Sequence, residues 1–249
     1  MTTARTALVT GASRGIGAAV AQALGAAGYR VAVHYSQSGG AAEEVHATLD
    51  GEGHILVRAD LRDPGQVRAM VEEAASQLGS LDVLVNNAGV FFSHPIDEVD
   101  YETWQQAWQE TLDVNLVGPA NVTWCAVRHM GPGGRIINVG SRGAFRGEPQ
   151  SPAYGASKAA IAAFGQSLAK YLGSRGIAVM TVAPGFVATD MATEALSGEG
   201  GVVRRAESPF GRVAEPEEVA AAVTYFASPE AEWASGSILD LNGASYLRM

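Results

Sequence analysis

Short runs of β-branched and aliphatic residues alternate along this chain with longer alanine-rich stretches. Ala7-Leu8-Val9 predicts a first strand, and Gly15 to Ala27 the helix after it. Val31-Ala32-Val33 predicts a second strand, with a helix over Ala41 to Leu49. Ile55-Leu56-Val57 predicts a third. Asp63-Pro64 opens the next helix as an N-cap carboxylate with proline in the first turn, where a missing N–H costs nothing. Val83-Leu84-Val85 and Ile136-Ile137-Asn138-Val139 predict strands on either side of a long helix around Trp104 to His129. Val179 to Val182 and Ile238-Leu239 supply two more. Strands separated by helices imply right-handed crossovers and a parallel sheet covered on both faces. The expected fold is α/β, a Rossmann-like doubly wound parallel sheet of about seven strands. The pattern uses the whole chain and predicts one domain over residues 1–249. Only Asp190 to Arg212, rich in Gly, Ser, Glu and Arg, breaks the rhythm, which predicts a substrate lid at 190–212.

Composition narrows the function. Hydrophobic residues make up 47% and charged residues 17%, as in a globular enzyme with a full core. A net charge of -9 argues against nucleic acid as a partner. One cysteine, Cys125, excludes an internal disulfide and a cysteine-rich metal site, and the five histidines show no metal-ligand spacing, so no metal is expected. No apolar run is long enough to span a bilayer. Met1 to Thr6 leads straight toward the first strand without a basic, apolar and cleavage-site succession, so the expected location is cytoplasmic.

Thr10-Gly11-Ala12-Ser13-Arg14-Gly15-Ile16-Gly17 joins the first strand to the first helix. Glycines there let the backbone approach a pyrophosphate, and the helix N-terminus favours its charge. Tyr154 and Lys158 are four residues apart, on one face of a helix. An ammonium beside a phenol lowers the phenol's pKa toward neutrality, which would make Tyr154 a general acid for reduction and a base for oxidation. Two surface neighbours would look the same in isolation. Ser141, just after a predicted strand, lies where such sheets hold ligands and favours the catalytic reading.

These segments, with Asn86-Asn87-Ala88-Gly89, Asn115, Tyr154-Gly155-Ala156-Ser157-Lys158 and Pro184-Gly185-Phe186-Val187-Ala188-Thr189, resemble the motifs of the short-chain dehydrogenase/reductases, in the family's order and over almost the entire chain. Within that family the likeness is greatest to the 3-oxoacyl-(acyl-carrier-protein) reductases and their relatives. The resemblance implies a catalytic set of Asn115, Ser141, Tyr154 and Lys158. Ser141 would hydrogen-bond the substrate oxygen, Lys158 would also hold the nicotinamide ribose, and the main-chain carbonyl of Asn115 would hold a water connected to the lysine. Pro119 gives that last role an independent reason, since proline has no N–H to offer the carbonyl four residues back.

The resemblance also implies cofactor contacts from Gly11, Ser13, Arg14, Gly15, Ile16, Gly17, Asp60, Leu61, Asn87, Ala88, Gly89, Pro184, Gly185, Val187 and Thr189. An acid at the end of the second strand selects NAD. Tyr35 stands there, followed by Ser36, and Arg14 can meet a 2′-phosphate, so the expected cofactor is NADP(H). The expected activity is NADPH-dependent, reversible reduction of a ketone or aldehyde to an alcohol. Family members commonly form homotetramers through the helices around Trp104 to His129 and after Tyr154. Gly143 to Gln150, Phe91 to His94 and the lid are expected to shape the choice of a small-molecule carbonyl substrate.

Two alternatives stand beside that reading. One is reduction of 3-oxoacyl groups on an acyl carrier protein; the other is a non-catalytic NADPH-binding scaffold. Against the first, the reductases of that type carry two arginines flanking the active-site entrance. Arg175 matches one, while the other position holds Pro132; Arg142 and Arg146 could substitute from a neighbouring loop. Against the second, all four catalytic positions are intact.

Overall fold

The computed structural model describes residues 4–193 and 195–248. The strands are β1 (Thr6–Val9), β2 (Arg30–Tyr35), β3 (Ile55–Arg58), β4 (Val83–Asn86), β5 (Arg135–Val139), β6 (Ala178–Pro184) and β7 (Ile238–Leu241). All seven pair in parallel in the order β3-β2-β1-β4-β5-β6-β7. The winding reverses between β1 and β4, so the loops at their carboxyl ends diverge and leave a crevice for a ligand. The helices are α1 (Gly15–Ala26), α2 (Gly39–Ala47), α3 (Pro64–Leu78), α4 (Tyr101–Leu112), α5 (Gly118–Ala126), α6 (Gly143–Arg146), α7 (Pro152–Leu172), α8 (Gly198–Ala206) and α9 (Pro216–Ala227).

Alternation along the strands sorts the core into two layers. Ala7, Val9, Val31, Val33 and Val85 face Val20 and Leu24 of α1 and Val223 and Phe226 of α9. Leu8, Ala32, Leu84 and Ile136 face Met70 and Leu78 of α3 and Val122 of α5. Cys125 is buried among this second set. Local signals set the helix starts. The Asp63 carboxylate accepts the N–H groups of Gly65 at 2.8 Å and Gln66 at 3.1 Å ahead of α3. Glu215 and Glu218 form a capping box with Pro216 in the first turn of α9.

Two expectations need correction. The second helix begins at Gly39, earlier than the alanine run suggests. The helix expected around Trp104 to His129 runs unbroken from Tyr101 to Ala126 but is not uniformly α: α4 passes into π winding over Asp113–Val117, which leads into α5. Pro119 withholds the N–H that the Asn115 carbonyl would receive at the fourth residue, and Gly118 instead donates to Asp113 across five residues. Trp124 is 59% exposed, so it is not a core residue.

Candidate active site

The segments expected to hold a dinucleotide converge at the carboxyl ends of β1, β2, β4 and β6. Gly11 has a φ of 63°, and a Cβ there would lie 2.8 Å from the Ala88 Cα. The loop after β1 therefore packs on the loop after β4 only because glycine leaves room. A side chain at Gly17 would strike the Gly11 carbonyl and the Asn87 amide. Asn87 donates that amide to the carbonyls of Thr10 at 2.9 Å and Gly11 at 3.1 Å, so its side chain braces the glycine loop. A Cβ at Gly15 would lie 3.2 Å from the Thr189 methyl, which brings the loop after β6 against the glycine loop. Helix α1 starts at Gly15 with no side-chain cap and no acid in its first turn. That leaves N–H groups at Gly15, Ile16 and Gly17 able to meet an anion.

Beneath the loop lies His34, 2% exposed, a contributor that sequence reasoning did not single out. Its Nδ1 accepts the Gly11 N–H at 2.9 Å, so Nε2 carries the proton toward the Ala59 carbonyl at 3.1 Å. Burial pushes its pKa down to about 4, keeping the ring neutral. The imidazole thus ties the glycine loop to the segment that leads into Asp60 and Leu61.

No carboxylate stands at the end of β2. Tyr35 pairs in register with Arg58, and the Arg58 guanidinium donates to the Ser36 carbonyl at 3.0 Å. Arg58 thus sets a second cation at the end of β2, in addition to exposed Arg14 of the glycine loop. Its signal in the sequence was its place at the end of the third strand, opposite Tyr35. The Asp60 carboxylate is engaged by Arg62 at 2.6 Å, and Leu61 buries its side chain against Gly118. These residues suit NADP(H): an uncapped helix start for the pyrophosphate, and two cations with no carboxylate where the extra phosphate would lie.

The other cluster brings Asn115, Ser141, Tyr154 and Lys158 together. The Asn115 side chain grips residue 90 at both ends, accepting the Val90 N–H at 2.8 Å and donating to the Val90 carbonyl at 3.0 Å. It also donates to Ser157 Oγ at 3.2 Å, and Ser157 donates to the Tyr154 carbonyl at 2.8 Å. A Cβ on Gly89 would fall 3.4 Å from Asn115 Oδ1 and 3.5 Å from Lys158 Nζ. Ser141 follows β5, accepts the Gly143 N–H at 3.0 Å, and has its hydroxyl beside the Tyr154 phenol. Phe91 stacks edge-on against the Tyr154 ring with centroids 5.2 Å apart.

The electrostatics differ from the expectation for the Tyr154–Lys158 pair. Lys158 Nζ donates to the Val139 carbonyl at 2.9 Å and lies 5.6 Å from the Tyr154 ring centroid. Burial pushes the Tyr154 phenol up to about 12; the nearby Ser141 hydroxyl works the other way, and the Glu148 carboxylate adds to the rise. Burial also pulls Lys158 down to about 8. The ammonium therefore does not bring the phenol toward neutrality in this structure, because desolvation outweighs a cation aimed at a carbonyl.

The segment between β6 and α9 forms a 3-10 turn over Asp190–Ala192 and then α8; Glu194, within the expected lid, lies outside the described residues. Glu207, just after α8, pairs with Arg142, which is 3% exposed and also donates to Ser245. Arg146 meets Glu207 at 3.1 Å and Glu148 at 4.0 Å. Arg175 donates to the carbonyls of Val127 at 2.9 Å and Met130 at 3.3 Å, which occupies it at the end of α5. It follows the 21 residues of α7, about 30 Å along the helix from Tyr154. Within one chain Arg175 does not flank the active-site entrance, contrary to expectation.

Among the described residues there is no metal-ligating cluster and no helix long and apolar enough to cross a membrane. A family profile described as enoyl-(acyl carrier protein) reductase matches residues 11–243. The chain is 39% identical to an uncharacterized oxidoreductase of Methylorubrum extorquens, over 96% of both chains. It is 38% identical, over 98% of both, to the 3-oxoacyl-[acyl-carrier-protein] reductase FabG of Staphylococcus aureus. A short-chain dehydrogenase from Burkholderia cenocepacia, solved in complex with NADP, superposes with a TM-score of 0.88 at 37% identity, covering 97% of each chain.

Proposed function

This chain belongs to the short-chain dehydrogenase/reductase family, and from that premise we propose that it reduces free ketones or aldehydes to alcohols with NADPH, reversibly, using Tyr154 as the proton donor. The observation that carries the reading is the cluster at the carboxyl end of β5, where Asn115 reaches the Tyr154 carbonyl through Ser157 and Lys158 Nζ lies 5.6 Å from the Tyr154 ring centroid. The Tyr154 phenol, raised by burial, is protonated at neutral pH, which is the form an acid in a reduction needs.

The bound cofactor would supply the hydride to the carbonyl carbon. Ser141 orients the substrate by a hydrogen bond to the carbonyl oxygen, and Tyr154 Oη donates its proton to the same oxygen as it becomes an alkoxide. Lys158 has three N–H donors and gives one to the Val139 carbonyl, which leaves two for the nicotinamide ribose. Gly15, Ile16 and Gly17 meet the pyrophosphate, and Arg14 and Arg58 the 2′-phosphate. Asn115 holds the loop at Val90 against α7 and, through its carbonyl at the π turn, a water that can return a proton to Lys158. The chain acts as one domain, with residues 190–212 as the lid.

Free carbonyl compounds are favoured over carrier-bound ones because Arg142 and Arg146 face carboxylates of this chain, and Arg175 lies beyond the far end of α7 from Tyr154. Arg142 and Arg146 turn to Glu207, and Arg175 to backbone carbonyls. The test is NADPH oxidation on a panel of small ketones and ketoesters against a 3-oxoacyl carrier protein. Carrier-bound substrate winning by more than about tenfold, roughly 1.4 kcal/mol, would restore the fatty-acid role. Tyr154→Phe should cost at least ~100-fold in turnover, with NADPH binding kept.

We further propose a cytoplasmic homotetramer. Two separate apolar surfaces support it: Trp124 and Tyr171 on α5 and α7, and Tyr225, Trp233 and Leu239 around α9 and the open edge of β7. Two self-complementary patches on one chain generate two two-fold axes and hence a closed tetramer. Light scattering at micromolar concentration checks this; a monomer there rejects it.

A further inference from the structure

Helix α7 carries Tyr154 in its first turn, yet its start is not capped in the ordinary way. Ser151 is in the capping position but makes no side-chain cap bond, and its Oγ is buried without a partner. Pro152 has no N–H to satisfy. Tyr154 and Gly155 donate to the Ser151 carbonyl. The remaining N–H of that turn belongs to Ala153, fully buried beside Tyr154. It donates to Nε2 of His94 at 3.2 Å.

His94 is itself fully buried, 59 residues away in sequence. An amide can only donate, so Nε2 is the unprotonated nitrogen and Nδ1 carries the proton. Nδ1 then donates to the Phe92 carbonyl at 2.8 Å. The His94 backbone N–H donates to the Gln150 carbonyl at 2.8 Å, and the ring stacks edge-on against Trp104 at 5.5 Å. One neutral imidazole thus joins the Phe91–Phe92 segment, the loop before α7 and the residue preceding Tyr154. The same segment holds Phe91 against the Tyr154 ring.

We propose that His94 is the surrogate N-cap of α7 and a positioning residue for Tyr154, locking the proton donor and the Phe91 wall of the substrate site into one rigid unit. This rests on the reading of Tyr154 as proton donor. Displacing a reacting group by about 1 Å can cost ~100-fold in rate, so a cap one residue away reaches the chemistry without touching substrate.

The test compares His94→Phe, which keeps ring volume and the Trp104 stack but loses both hydrogen bonds, with His94→Gln, whose side-chain oxygen can reach the position of Nε2. For His94→Phe the expected result is kcat lower by about tenfold or more, with NADPH Kd within about twofold of the parent. His94→Gln should recover most of that loss. A His94→Phe kcat within about twofold of the parent overturns the proposal, and so does His94→Gln no better than His94→Phe. A fall in thermal stability with unchanged kcat also overturns it. Should His94→Phe fail to fold, 15N NMR of the parent reads the tautomer directly: protonated Nδ1 with bare Nε2 supports the cap, and protonated Nε2 rejects it. That measurement needs no turnover, so it judges the cap separately from the Tyr154→Phe assay, which judges the proton donor.

Discussion

Lys158 points its ammonium at the Val139 carbonyl, 2.9 Å away, and passes 5.6 Å from the Tyr154 ring centroid. The two side chains share one face of α7, but the geometry makes the lysine a buried cation held by a strand end rather than a direct partner of the phenol. Its pKa, drawn down to about 8 by burial, records what that placement costs.

Lys158 should therefore trade stability for function. With a folded pKa of about 8 against an ordinary 10.5, the unfolded chain binds more protons between those values. Stability should rise with pH across that window and be lower below it, by up to ~3 kcal/mol for the full shift. Lys158→Met should abolish turnover, raise Tm at pH 7 and flatten the dependence of Tm on pH from 8 to 10.5. A lower Tm for the variant at pH 7 would contradict this.

His34 should mark the acid limit of the fold. Its folded pKa of about 4 lies below an ordinary 6.5, so the unfolded state binds the extra proton in between. Stability should be full above pH 6.5 and fall as pH drops toward 4. His34→Leu leaves the Gly11 N–H buried without its acceptor, a loss of about 1–3 kcal/mol. Urea midpoints from pH 4 to 7 measure the first effect, and a weaker NADPH Kd at neutral pH accompanies the second.

Cofactor choice should depend on both cations near Ser36. Arg58→Ala should weaken NADPH by about tenfold and leave NADH little changed, because only the extra phosphate is affected. Tyr35→Asp should shift preference toward NADH by placing a carboxylate where the 2′-phosphate would lie. Steady-state kinetics with both cofactors settles each; an Arg58→Ala loss that is equal for the two would remove Arg58 from the site.

Glu207 should fasten the proposed lid. Its partner Arg142 is almost fully buried and adjoins Ser141. Glu207→Gln removes the charge facing a desolvated guanidinium while keeping an acceptor oxygen, a loss of about 1–3 kcal/mol. The expected result is a clear fall in Tm together with a higher KM for the ketone. An unchanged Tm would show that Ser245 alone satisfies Arg142.

The strand and helix succession was legible in the sequence because it is a local property. Alternation in Val31-Ala32-Val33, the Asp63-Pro64 start and the glycine loop after the first strand each depend on a few contiguous residues. The spacing of Tyr154 and Lys158, and Pro119 opposite the Asn115 carbonyl, were readable for the same reason: a helix converts sequence separation directly into a shared face or a missing hydrogen bond. The local switch to π winding was not, since loss of one N–H does not say how the helix will rearrange.

Tertiary structure alone decided the electrostatics and the braces. Whether Lys158 lowers or fails to lower the Tyr154 pKa depends on desolvation and on where the ammonium points, and neither is a property of a four-residue spacing. His34 under Gly11, His94 on Ala153 and Arg142 on Glu207 join segments 23, 59 and 65 residues apart. Nothing in the residues flanking each of them announced that partner. Their roles come from the packing of separate loops at the carboxyl end of one sheet, where burial makes an unpaired N–H or guanidinium costly enough that a distant side chain must satisfy it.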